Sequence, residues 1–164
     1  MKAIEITDIP KEVLKEYGVL YNLTDTGIPT NNTHFSSGEG YIDSCTDHSV
    51  IDTVGTLGYT LGSPAPFVCS EMERHLHSEE AQIPAGEPIC LCLAKASDNP
   101  PKPENIIPVI IRPGYVFVLH RAIWHSASHG LYEPTYYYWL CWAYKNEPTV
   151  WKTINGDPVS VEVE

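Results

Sequence analysis

Fourteen prolines and eleven glycines are spread along 164 residues. Such frequent breaks leave little room for long helices. Between them lie short segments rich in β-branched and aromatic residues: Thr56–Leu61, Phe67–Cys69, Pro88–Ala94, Ile106–Ile111, Tyr115–Leu119 and Thr135–Tyr144. These read as strands, and many short strands at near-regular spacing predict an all-β sandwich or barrel. Lys95–Lys102 (KASDNPPK) is a turn between two of them. The tail from Asn155 to Glu164 alternates Val159, Val161 and Val163 with polar residues, the pattern of an edge strand. One short helix is expected, over Ile9–Tyr17, with Pro10 early and Gly18 as its stop. Residues 22–47 are polar and read as a long loop or insertion, a length usually kept for function or an interface.

The length fits a single domain, 1–164. Acidic groups outnumber basic ones 21 to 10, for a formal net charge of -11. Nucleic acid and anionic membrane surfaces, which need clustered Lys and Arg, are therefore not expected partners. No apolar run approaches the ~18 residues that span a bilayer. The opening MKAIEITDIP lacks the apolar centre of a secretion signal, so a cytoplasmic location is expected. The five cysteines are odd in number and irregularly spaced, which predicts reduced thiols packed as small hydrophobes.

Chemistry concentrates in two places. The first is Glu71-Met72-Glu73-Arg74-His75-Leu76-His77-Ser78-Glu79-Glu80. Continued as a strand, it would send Glu71, Glu73, His75 and His77 to one face. That face is either a solvated charged surface or a ligand set turned into a core, where carboxylates need neutralising. The second is Leu119-His120-Arg121-Ala122-Ile123-Trp124-His125, followed by His129. Imidazoles among apolar and aromatic residues suit a small-molecule pocket, and neutral imidazole is the commonest metal ligand.

Together the two stretches resemble the paired motifs of the cupin superfamily. The second motif is matched by Gly114, then His120 where the family has Pro, Ala122 where it has Gly, His125 at the ligand position and His129 where it has Asn. The first is matched as Glu73-x-His75-x4-Glu80, with Glu73 replacing the first His. A rival register would use His75, His77 and Gln82. Within the superfamily, Glu71-Met72-Glu73-Arg74-His75 with Ile83-Pro84, and His120-Arg121-x-x-Trp124-His125, look like blocks of the ureidoglycolate lyases.

The resemblance implies an antiparallel β-barrel of the double-stranded β-helix or jelly-roll type with a short N-terminal helix. It implies a divalent metal (Zn, Mn, Ni or Fe) held by Glu73, His75, Glu80 and His125. His120 is the expected base, with Glu73 or His77 as alternatives. Arg74, Arg121 and Trp124 are the expected substrate contacts. The implied reaction releases urea from ureidoglycolate to give glyoxylate. The alternatives are a metal-dependent sugar or hydroxy-acid isomerase or epimerase, and a non-catalytic binding cupin. The expected partner is a small hydroxy-acid ureide or sugar-like molecule. A homodimer is also expected, through the Thr135–Tyr144 strand and the C-terminal strand.

Overall fold

The computed structural model describes residues 1–24, 33–142 and 151–163. Two five-stranded sheets dominate it. The front sheet runs in the order Gly18–Asn22, Tyr115–Leu119, Glu80–Pro84, Thr135–Cys141, Thr56–Gly62, antiparallel throughout. The back sheet runs Ile4–Glu5, Ile107–Ile111, Ile89–Ala94, Trp124–His125, with His129–Gly130 also paired to Ile89–Ala94. Its Ile4–Glu5 strand is parallel to its neighbour.

Strand alternation divides the side chains into three apolar layers. Ile89, Leu91, Leu93, Val109 and Ile111 of the back sheet share the middle layer with Phe117, Leu119 and Tyr137 of the front sheet. The intervening Cys90, Cys92, Ala94 and Ile110 face the rear, packing with Phe67, Met72, Trp124 and Val159. The back sheet is thus buried on both faces, which is why Ile89–Ala94 carries no polar residue. A third layer, with Tyr21, Ile51, Ala81, Val116 and Val118, covers the outer face of the front sheet. A tight turn at Gly114 (φ 88°) joins strands from the two sheets, using a conformation that costs glycine little.

Several expectations are corrected here. A closed barrel is not seen: among the described residues no ladder joins the two sheets, which share a core and approach each other at the isolated Pro64–Gly130 bridge. The N-terminal helix is one turn, Lys11–Leu14, because only Leu14 of that turn is buried and Gly18 already opens a strand. The region 22–47 is not simply a loop: Thr33–Gly38 and Tyr41–Thr46 form a hairpin, while residues 25–32 lie outside the described residues. The aromatic strand ends at Cys141, and residues 143 and 144 lie outside the described residues. Its outward Tyr136 and Tyr138 contact Tyr59, on an exposed face that also carries Leu57 and Leu61. That face is part of the surface on which a second copy was expected. In the tail, Val159–Val161 pairs with Phe67–Cys69. No described helix is long and apolar enough to cross a membrane.

Candidate functional site

The Glu80–Pro84 strand puts Ala81 and Ile83 on the outer layer, so Glu80 and Gln82 must point inward. Glu80 lies between Leu119 and Cys141 in register, and Gln82 between Phe117 and Trp139. From the facing sheet, His125 pairs with Leu93 of the middle layer, whereas Trp124 pairs with Ala94 of the rear layer. The same alternation therefore aims His125 inward and Trp124 away. Glu73 lies opposite His125 in a two-residue bridge, each N–H donating to the other's carbonyl (2.8 and 2.9 Å). His75 follows after the strand has ended, its carbonyl held by the Ala122 N–H (2.7 Å).

These four side chains come together. His75 Nε2 lies 2.6 Å from Glu80 Oε2, and His125 Nε2 lies 3.5 Å from the same oxygen. Glu73 Oε1 is 4.0 Å from His125 Nδ1, and the two imidazole rings are 5.4 Å apart. Glu73, His75 and His125 offer donor atoms all within 4.8 Å of one another, as do His75, Glu80 and Cys141. Glu80 and His125 are buried, at 5% and 1% exposure.

Hydrogen bonding fixes the chemistry of this cluster. The Ser126 carbonyl can only accept, so its 3.2 Å contact makes His125 Nδ1 the N–H donor. In the neutral ring, Nε2 is then a bare lone pair. It faces Glu80 Oε2, which is also an acceptor. Neither atom has a hydrogen-bond partner, and the nearest polar group to Glu80 Oε2 is His75 Nε2, its ion-pair neighbour at 2.6 Å. Leaving two buried acceptors unmatched costs on the order of 1–3 kcal/mol each. A cation between them removes that cost, and two imidazoles with a carboxylate suit a divalent transition metal. The donors present therefore fit a metal.

The supporting shell is ordered. Gln82 Nε2 donates to Glu80 Oε1 (2.6 Å), and Ser128 Oγ donates to Gln82 Oε1 (2.9 Å). Such outer contacts orient a ligand and keep its free oxygen aimed at one point. The two carboxyls are driven apart in acidity. Burial pushes Glu73 up, and the His125 and His75 rings only partly oppose this. Burial acts on Glu80 too, but His125, His75 and Gln82 outweigh it and hold that carboxyl below its ordinary value. Opposite displacement of two neighbouring acids is a common mark of divided roles.

Ala122 links motif to geometry. It stands where the resembled motif has glycine, and its φ is 64°, in the left-handed region. That conformation costs alanine roughly 1–2 kcal/mol, against about 0.5–1 kcal/mol of extra chain entropy for glycine. Ala122→Gly is expected to stabilise the fold by roughly 0.5–1 kcal/mol. A urea midpoint that falls would show that the turn is held by something other than backbone preference.

The other expected site residues do not join the four. His120 holds Glu79 Oε1 and the Lys15 carbonyl, both at 3.2 Å, on the far side of the strand that carries Glu80. Arg121 is bound to Asp52 (2.6 Å). Asp52 and Glu79 line an outer groove of about 880 Å³ with Tyr21, His48 and Ile51, so His120 and Arg121 are bound to two of its lining carboxylates. Arg74 donates to the Ser97 carbonyl and lies over the Trp124 ring at 4.7 Å. Trp124 itself is buried, its Nε1 donating to Ser97. His77 and Glu71 are exposed, because the strand stops at Met72 and its two-residue period lapses. The rival trio of His75, His77 and Gln82 is therefore not assembled.

Sequence reading missed Ser126, Ser128 and Cys141. Gln82 was readable as a neighbour of Glu80 on one strand face. Cys141 left no local signal, since only the front-sheet register sets it beside Glu80.

No family model matches the chain, and no curated protein matches it. Among solved structures, dTDP-4-dehydrorhamnose 3,5-epimerase from Elizabethkingia anophelis NUHP1 is similar over 83% of this chain and 79% of that one, with a TM-score of 0.46 and 9% identity.

Proposed function

We propose that the chain is a cupin-type, metal-dependent enzyme that isomerises or epimerises a small hydroxy-carbonyl compound of the sugar or hydroxy-acid class. The observation that carries this reading is the pair of buried acceptors, Glu80 Oε2 and His125 Nε2, facing each other at 3.5 Å without a hydrogen-bond partner. The left-handed turn at Ala122 and the paired sheets support the cupin assignment.

His75, Glu80 and His125 would hold the ion. A divalent cation there supplies Lewis acidity toward the carbonyl and hydroxyl oxygens of a substrate. Gln82 and the Ser126 carbonyl keep Glu80 and His125 aimed at it. Glu73 is the less buried carboxylate, with its side chain 14% exposed against 6% for Glu80. It stands at the rim with His75 and is assigned the proton. Its carboxylate takes a proton from the carbon beside the carbonyl. It then returns that proton to the former carbonyl carbon while the hydroxyl proton passes to the former carbonyl oxygen, for isomerisation, or to the other face of the same carbon, for epimerisation. No electrons are gained or lost, so no co-reactant is required.

The isomerase reading, above all with an uncharged sugar-like substrate, is favoured over urea release by the arginines. Beyond the metal, a bidentate grip on a ureidoglycolate carboxylate calls for an arginine in the interior, which an uncharged sugar does not need. All three arginines are engaged elsewhere: Arg74 with Ser97 and Trp124, Arg112 with Glu5, and Arg121 with Asp52. The test is solvent exchange. The metal-loaded protein is incubated in deuterated water with a panel of aldoses, ketoses and hydroxy acids. The expected result is loss of the proton signal at the carbon beside a carbonyl for at least one member. Urea release from ureidoglycolate with no exchange anywhere would reverse the choice.

A further inference from the structure

Cys141 is buried, at 3% exposure, and sits directly across the front-sheet register from Glu80. Its sulfur, a Glu80 oxygen and a His75 nitrogen all lie within 4.8 Å of one another. By itself a buried thiol packs as a small hydrophobe. Here it borders Glu80, whose Oε2 is a buried acceptor without a hydrogen-bond partner, 3.5 Å from the equally unpartnered His125 Nε2. The other cysteines are elsewhere: Cys69, Cys90 and Cys92 in the rear layer, and Cys45 on the surface.

We propose that Cys141 is a sulfur ligand of the metal held by His75, Glu80 and His125. The inference rests on the metal-centre reading above and narrows it to a mixed nitrogen, oxygen and sulfur site. When the metal binds, the Cys141 S–H bond breaks and a sulfur–metal bond forms. The proton leaves to solvent, and no electron is transferred. A thiolate in the set favours borderline-soft ions such as zinc over magnesium or manganese, which prefer oxygen. With Cys141 buried, the more exposed Glu73 and His75 would be left to face substrate.

The probe is cobalt(II) added to the metal-free full chain. Wild type is expected to show a thiolate-to-cobalt charge-transfer band in the near ultraviolet. Cys141→Ser is expected to lose that band while still binding cobalt. X-ray absorption at the zinc edge of wild type, which needs no variant to fold, is expected to show a sulfur neighbour. Cobalt bound by wild type without the band, or a zinc shell of nitrogen and oxygen only, overturns the sulfur ligand and leaves the metal centre standing. The band persisting in Cys141→Ser also overturns it. Failure of wild type to retain either ion overturns both readings.

Discussion

His125→Ala is expected to abolish metal retention. Elemental analysis of the purified variant should match a chelator-treated blank, whereas wild type prepared alongside should not. The physical reason is that His125 supplies the inward Nε2 lone pair opposite Glu80. The same change leaves buried Glu80 Oε2 with His75 alone of its two imidazole neighbours. Removing one partner of a buried charged set costs about 3–5 kcal/mol. For a chain of this size that lowers the thermal midpoint on the order of 10 °C. Unchanged metal content in a folded variant would remove the basis for the centre.

Glu73→Gln is expected to divide binding from turnover. The amide keeps the size of the side chain and its bridge with His125, which runs through the backbone. It cannot accept a proton. Metal content should stay at the wild-type level, while proton exchange into substrate falls by roughly 10²–10⁴-fold, the usual worth of a positioned acid-base group. Both assays are needed on one preparation. If the ion is lost together with activity, Glu73 is a ligand and the proton belongs to another group. If exchange continues at the wild-type rate, the assignment of Glu73 is wrong.

The outward position of His120, against Glu79 and Lys15, explains why place in a motif misleads about role. It stands four residues before Trp124, in a stretch dense with imidazole, and was the expected base. The Leu119 side chain turns into the middle layer, so the next residue leaves the sheet on the outside and meets Glu79 and Lys15. Arg121 follows it outward to Asp52. Trp124 is sent to the rear by the same two-residue period that sends His125 inward. Local spacing identified the chemistry-bearing residues, and strand parity decided which of them meet.

By itself the sequence determined the β-rich character, most strand positions and the four residues that converge. Prolines and glycines bound element length locally, and the spacing of Glu73, His75, Glu80 and His125 is written in one dimension. The tertiary structure alone decided the rest. Whether the sheets close, how far the first helix runs and which atom faces Glu80 all depend on contacts between segments distant along the chain. Cys141 is the clearest case: 61 residues beyond Glu80, it enters the site only because two antiparallel strands pair in one register and not the next.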